Sequence, residues 1–539
     1  MLVKDFRTLK LGESLLNECL GDFSRPDFPI GVAQNLVDGE WQPLAPEWKR
    51  TIVNPLTGNP LYELPATPPS EFSRFGEALR RCPKSGRHNA FQNVERYKML
   101  GAVSARAAML LSDVVVQDYF TRLIRRVMPK SYRQALGEVT VVQKFLENFS
   151  GDQVRFLAKG FSIPGDHLGQ ETRGYRWPYG PVVIITPFNF PLEIPALQLM
   201  GALYMGNLPL IKADSKVSIV VEQFIRLLHT CGLPKEDIIS LHCTGQDMGI
   251  FLAQYNEDIR LVQFTGSTGV AEKISEIMHG RVRIEDSGFD WKILGPDADK
   301  KWLDYVAWQC DQDAYAASGQ KCSAESILFV HKNWTPLGII DKMRSLAARR
   351  ELKDLTIGPV MTWTNEQIGS HIAKVMQIDG AELLFGGVPL SGHSIPAEYG
   401  AFQPTAIQVP LSAFMQHFEL LTTELFGPFQ IVVEYDDTTL DMVLDIMERM
   451  THHLTAAVVS NDDAFHNKVL GATLNGTTYM GMRARTTGAP QNHWFGSAGD
   501  PRAAGIGTPE AIISTWSCHR EIVTDRGAVP SGWSIPPAS

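Results

Sequence analysis

The sequence lacks any CxxC pair. Its seven cysteines, at positions 19, 82, 231, 243, 310, 322 and 518, are odd in number and widely scattered, which argues for reduced thiols and against a zinc site. Long apolar runs are also missing. Stretches such as Val182 to Ile185 and Ile238-Ile239 fall far short of the about 18 to 20 residues a membrane span requires, so no bilayer-crossing segment is expected. Nor is there an excess of positive charge. A formal charge of -9 and a pI near 5.9 leave no footprint for phosphate backbones or anionic membranes, so nucleic acid is excluded as a partner class. No internal repeat is visible, and low complexity is confined to the Pro/Gly/Ser tail from Gly527 to Ser539. At 539 residues the chain exceeds what one hydrophobic core serves, so at least two domains are expected.

What is present is alternation. From about 181 to 285, short β-branched runs at Val182 to Thr186, Leu208 to Lys212, Ile238 to His242, Leu261 to Thr265 and Val282 to Glu285 read as strands. Between them Leu192 to Met205, Ser218 to Thr230, Met248 to Tyr255 and Val270 to Met278 read as helices, several closed by Gly or Pro. This predicts an α/β fold with a doubly wound, Rossmann-type nucleotide-binding sheet. Ligands of such sheets sit at the carboxyl ends of the strands. Thr186-Pro187-Phe188-Asn189-Phe190-Pro191, Lys212 to Ser215, Gly245 and Gly266 to Gly269 fall in those loops. A second alternation runs from near Trp291 to about 500, with strands at Ser326 to Val330, Ile431 to Tyr435 and Leu454 to Val459 and helices at Leu337 to Arg350 and Leu440 to Met450. Ala511 to Val523, rich in Ile, Thr, Trp and Val, reads as a strand that pairs with Tyr175 to Tyr179 in an oligomerisation sheet.

Gly319-Gln320-Lys321-Cys322-Ser323-Ala324 places one cysteine in a Gly-opened turn between a helical segment and an apolar strand. A lone buried cysteine is usually an inert small hydrophobe. Here other groups accompany it in the order an aldehyde oxidation needs. Cys322 adds to a carbonyl, and covalent catalysis divides one difficult oxidation into two easier steps. Asn189 offers a side-chain amide for the oxyanion, with a turn residue as its alternative role. Glu285, ending a strand, offers a general base for the water that opens a thioester, with a salt-bridged or solvated residue as its alternative. Gly266 and Ser267 open a helix whose N-terminus favours a pyrophosphate, although the full GxGxxG pattern is missing. Lys212 suits ribose hydroxyls or is an ordinary surface lysine. Glu424 suits a nicotinamide ribose while Phe426 packs on the ring, or Phe426 simply fills a Gly-Pro bend. The histidines and tryptophans show no ligand spacing, and no metal is expected.

As an ordered set over about residues 35 to 525, these motifs resemble the aldehyde dehydrogenase family. The resemblance implies NAD as cofactor, Cys322 as nucleophile, Glu285 as general base and Asn189 as oxyanion donor. It also implies cofactor contacts at Thr186, Pro187, Phe188, Lys212, Ser215, Gly245, Gly266, Ser267, Glu424 and Phe426. More narrowly, GQKCSAESILFVHKNW, YRWPYGPVVIITPFNFPLEIP, IEDSGFDWKILGPD and NHWFGSAGDPRAAGIGTPEAI resemble the plant-type delta-1-pyrroline-5-carboxylate dehydrogenase branch of that family. That branch implies oxidation of L-glutamate 5-semialdehyde to L-glutamate in proline catabolism, with Ser323, Ser497 and Ala498 contacting substrate. It further implies a homo-oligomer built from dimers in the mitochondrial matrix. The first twenty residues, carrying Asp5, Glu13 and Glu18, lack the Arg-rich, acid-poor composition of a presequence.

Three positions depart from the family pattern. Ala271 replaces a glycine of the helix-opening turn, Glu285-Asp286-Ser287-Gly288-Phe289 stands for the family's Glu-Leu-Gly-Gly-Lys, and Ser215 stands where many NAD-preferring relatives carry glutamate, leaving NADP open. The expected domains are an N-terminal segment at 1–35 and an NAD-binding domain at 36–290 interrupted by an oligomerisation hairpin near 160–180. A catalytic domain at 291–500 and a C-terminal strand and tail at 501–539 follow. Two rival readings stay open, an aldehyde dehydrogenase for another aldehyde and a non-catalytic binding or structural protein with this fold.

Overall fold

The computed structural model describes residues 31–286, 288–488 and 493–539. The first twenty residues, with Asp5, Glu13 and Glu18, and the departure at Ser287 lie outside the described residues, as does Asn492 of the C-terminal motif.

Two seven-stranded sheets dominate. The first runs in the order Val282–Asp286, Leu261–Gly266, Pro181–Thr186, Leu208–Ala213, Ile239–Ser240, Leu36–Val37, Glu40–Trp41. Its first five strands are mutually parallel and the last two are antiparallel additions. Runs such as PVVIIT and LPLIKA are apolar along nearly their whole length because helices cover both faces of a parallel sheet. The helix Glu193–Tyr204 is buried almost all round. A Cβ at Gly201 would come within 2.9 Å of the Trp516 ring, so glycine lets a second helix lie against it.

The second sheet runs Glu382–Phe385, Thr405–Gln408, Phe429–Tyr435, Glu325–His331, Asp290–Leu294, Thr455–Val459, Thr477–Met480, parallel except for its first pair. Its strand Asp290–Leu294 was not foreseen, and the helical segment expected before Gly319 is the helix Leu303–Tyr315. The strand's charged Asp290 and Lys292 mask an element that the interior buries.

The expected strand Ala511 to Val523 is corrected. Pro509–Trp516 is a helix, and the strand is Ser517–Asp525. The Thr508 hydroxyl accepts from the Ala511 amide at 3.2 Å as an N-cap, and Pro509 opens the helix. Burial of Ala511, Ile512, Thr515 and Trp516 at helical spacing overrides their β-branched composition. All nine residues of Ser517–Asp525 then pair antiparallel with Gln170–Pro178, which also pairs with Phe161–Pro164. The expected strand Ile238 to His242 contributes only Ile239–Ser240 to its ladder.

Candidate active site

The parallel strands bring the expected residues to one end of the first sheet. Thr186 ends one strand, Lys212 lies at the end of its neighbour, and Glu285 pairs in register with Thr265. Cys322 comes from the second sheet, three residues before the strand Glu325–His331. It lies near enough to the Glu285 carboxylate for the two groups to shift each other's protonation. Glu285 is only 2% exposed, and burial pushes its carboxyl up to about 7, with the nearby Cys322 thiol opposing the rise. Its Oε1 has no hydrogen-bond partner among the described residues. Burial, and then the Glu285 charge, hold the Cys322 thiol well above its ordinary value. The thiol is therefore held in its neutral form, with a buried carboxylate near it.

The turn before Cys322 is unusual. Ala317 and Ser318 hold left-handed backbone angles (φ 54° and 56°), and Gly319 follows at 70°. Such conformations cost non-glycine residues about 1 to 3 kcal/mol each and persist only where surroundings enforce them. A Cβ on Gly319 would overlap the Gly427 carbonyl oxygen, so glycine is required twice over. The Ser318 hydroxyl accepts from the Gly358 amide at 2.8 Å. Gln320 donates to the Pro359 carbonyl at 2.9 Å and accepts from the Met361 amide at 2.7 Å. Lys321 points away from the thiol, donating to the Asp313 carbonyl at 2.9 Å, and burial lowers it to about 8. Ser323 is buried, and its carbonyl accepts from the Thr486 hydroxyl at 2.6 Å.

Asn189 is 3% exposed on the loop after Thr186. Sequence reading missed what holds it. The Lys130 ammonium donates to the Asn189 carbonyl and to Glu138 Oε2, both at 2.8 Å, and Glu138 Oε1 accepts from the Leu192 and Glu193 amides at 2.7 and 3.0 Å. Nothing local marks this pair, which lies more than fifty residues upstream of the loop it serves. Also missed was Asp290. One of its carboxylate oxygens accepts from the Thr455 amide at 2.7 Å, the other has no partner among the described residues, and burial raises its carboxyl well above the usual carboxylate range. Beneath the nucleophile, the Lys292 ammonium lies 2.8 Å from Asp313 and 2.6 Å from Glu325, all three fully buried.

The cofactor candidates line the strand ends. Phe188 meets Phe426 edge-on at 6.0 Å. Glu424 Oε1 accepts from the Gly288 amide at 3.3 Å, and burial raises its carboxyl to about 8. Added Cβ atoms at Gly245 and Gly269 would meet nothing, so the entrances to their helices are open. Ser267, at the N-cap of Thr268–Ile277, makes no side-chain cap bond, and the buried Thr186 hydroxyl is unpartnered among the described residues. Open helix entrances and unspent hydroxyls fit a dinucleotide whose pyrophosphate takes backbone N–H groups. Gly266 ends its strand in register with Asp286. Lys212 is 9% exposed. The Ser215 carbonyl accepts from the buried Tyr62 hydroxyl. Ala271, the departure from glycine, packs fully buried in the core behind the sheet.

Ser497 and Ala498 lie on a loop tied at both ends. The Ala498 amide donates to the His453 carbonyl at 3.1 Å, and Phe495–Gly496 pairs with Gly505–Ile506. The chain between runs beside Glu285, since the Ile284 amide donates to the Arg502 carbonyl at 2.8 Å and the Ala504 amide to the Ile284 carbonyl at 2.9 Å.

A doubly wound sheet with ligand loops at its strand ends, facing a thiol carried by a second sheet, is the architecture of a dinucleotide-linked oxidoreductase. The aldehyde dehydrogenase family model matches residues 45–503, and the chain belongs to that family. It is 57% identical over 509 residues to delta-1-pyrroline-5-carboxylate dehydrogenase 12A1, mitochondrial, of Arabidopsis thaliana, covering 94% of this chain and 90% of the relative. It is 58% identical over 507 residues to a probable aldehyde dehydrogenase of Linum usitatissimum, covering 94% and 91%. Among solved structures, an NAD-dependent aldehyde dehydrogenase from Sinorhizobium meliloti superposes with a TM-score of 0.80 at 20% identity, covering 96% of this chain and 98% of that one.

Proposed function

We propose that this enzyme oxidises L-glutamate 5-semialdehyde, the open form of delta-1-pyrroline-5-carboxylate, to L-glutamate with NAD. The placement of the Cys322 turn, carried by the second sheet, near the buried Glu285 carboxylate of the first carries this reading. The 57% identity to the Arabidopsis enzyme supports the substrate and a mitochondrial setting.

Glu285 takes the thiol proton as sulfur bonds to the aldehyde carbon. The Asn189 side-chain amide and the Cys322 backbone N–H stabilise the oxyanion that forms, as fixed donors in a dry site do. The hydride that leaves this carbon would need an acceptor, which is the chemistry NAD would supply when bound. Thr186, Pro187, Phe188, Lys212, Ser215, Gly245, Gly266 and Ser267 would hold its adenosine and pyrophosphate, and Glu424 and Phe426 its nicotinamide half. The product of that step is a thioester on Cys322. Glu285, having passed the thiol proton to solvent, then takes a proton from water as the water oxygen bonds to the acyl carbon and the carbon–sulfur bond breaks; the departing sulfur recovers that proton and the acid ionises to the carboxylate. Ser323, Ser497 and Ala498 contact the amino-acid end of the substrate in this reading.

The nucleotide sheet and the thiol-bearing sheet correspond to cofactor and catalytic domains meeting near residue 290. The three-stranded sheet of Phe161–Pro164, Gln170–Pro178 and Ser517–Asp525 leaves Phe161, Ile163 and Val523 more than half exposed, which supports a homo-oligomer assembled through it.

NADH formation from pyrroline-5-carboxylate, compared with propionaldehyde under the same conditions, tests the substrate. The expected result is a kcat/KM for pyrroline-5-carboxylate at least about 10²-fold higher, since a site built for polar groups discriminates strongly against substrates lacking them. Equal or greater efficiency with propionaldehyde would discard glutamate semialdehyde and keep an aldehyde dehydrogenase for another aldehyde.

A further inference from the structure

The reacting groups come from opposite sides of the molecule, Asn189 and Glu285 with the first sheet and Cys322 with the second. One helix touches both sides. In Tyr132–Asn148, Gln134 and Glu138 are four residues apart and share a face. Gln134 Oε1 accepts from the Ala317 amide at 3.1 Å, at the start of the left-handed turn that presents Cys322. Glu138 holds the Leu192 and Glu193 amides and, through Lys130, the Asn189 carbonyl. Lys130 also lies 4.6 Å from the centre of the Phe190 ring. The remainder of the helix is anchored, with Ala135, Val139 and Val142 fully buried in the core of the nucleotide-binding half.

We propose that the helix Tyr132–Asn148 is a brace that sets the spacing between nucleophile and oxyanion donor, with Gln134, Glu138 and Lys130 as positioning residues. The reading rests on the catalytic roles assigned above to Cys322 and Asn189. Two features favour a brace over general stability. The Ala317–Ser318 turn is strained and needs an external hold, and the Gln134 amide oxygen grips it at its first residue. The buried Lys130–Glu138 pair uses both carboxylate oxygens and the ammonium on the one loop that carries Asn189 and starts the next helix. Neither residue touches the reacting atoms, so their influence passes through geometry, where a displacement of about 1 Å costs about 10²-fold in rate.

The experiment compares Gln134→Ala, Gln134→Glu, Glu138→Gln and Asn189→Ala in the full-length enzyme. The measurements are kcat, KM for pyrroline-5-carboxylate, NAD affinity, and the rate of Cys322 alkylation by iodoacetamide followed on its peptide by mass spectrometry. Gln134 is partly exposed, so its variants fold even if Glu138→Gln does not. Gln134→Ala is expected to lower kcat about tenfold or more with KM and NAD affinity unchanged, and to alter the alkylation rate. Gln134→Glu, which keeps an acceptor for the Ala317 amide, is expected to restore both. Glu138→Gln is expected to lower kcat while leaving alkylation unchanged, because it acts on the Asn189 side. If Asn189→Ala is slow but Gln134→Ala and Glu138→Gln keep the parent kcat, the brace is wrong and the catalytic reading stands. If Asn189→Ala itself keeps the parent kcat, the oxyanion assignment falls and the brace with it.

Discussion

In the proposed mechanism Glu285 is the residue on which the chemistry turns. Its carboxyl rises from an ordinary 4.5 to about 7 because burial penalises the anion. A base must be ionised to act, so turnover limited by Glu285 is expected to climb as pH passes through about 7 and to level off above it. Glu285→Gln should lower kcat by about 10² to 10⁴-fold and abolish that limb, read from kcat against pH. The stability consequence has the opposite slope. A carboxyl raised in the folded state contributes stability that is full below its unfolded value and is lost as pH rises through the folded one. Glu285→Gln is therefore expected to melt higher than the parent at about pH 8, the gain vanishing towards about pH 4.5. A variant that melts lower at the alkaline end would mean that Glu285 is stabilised as an anion. Cys322, Glu285 and Asn189 were legible as candidates because each sits in a short motif beside a strand. Lys130, Glu138 and Asp290 were not, since each works through partners far away along the chain, as in the 59-residue separation of Lys130 from Asn189.

Among the elements, the parallel strands were the easiest to read, because a strand covered on both faces is apolar throughout and bounded by turn residues. Asp290–Leu294 escaped because Lys292 interrupts it, and Pro509–Trp516 escaped because its Ile and Thr content is that of a strand despite its N-cap. The Lys292 charge is what the interior has to accommodate. Burial works against its ammonium, but Asp313, Cys310 and Glu325 outweigh that and hold it charged. Its two carboxylate partners sit on the helix before the nucleophile turn and at the head of the strand after it. Lys292→Met leaves two buried carboxyls without their cation and is expected to cost about 3 to 5 kcal/mol, measured by denaturant unfolding. A cost within about 0.5 kcal/mol, the range of ordinary surface substitutions, would show that the carboxyls simply protonate and need no partner.

For the whole molecule, composition bounded the answer and topology supplied the function. Neutral-to-acidic charge, scattered thiols and two α/β alternations left a nucleotide-dependent enzyme as the natural reading, and membership of the aldehyde dehydrogenase family makes it plain. The meeting of the two halves was not legible, because the contacts that align them, such as Gln134 with Ala317 and Phe188 with Phe426, join residues more than a hundred positions apart. The most direct test of the account is NADH formation from pyrroline-5-carboxylate by the parent enzyme and by Cys322→Ser at matched folding. Turnover in the parent and its loss by about 10⁴-fold or more in the variant is the predicted result, since the alkoxide needed in place of the thiolate is scarcely formed near neutral pH. Turnover retained in Cys322→Ser would contradict the covalent mechanism, whatever the substrate.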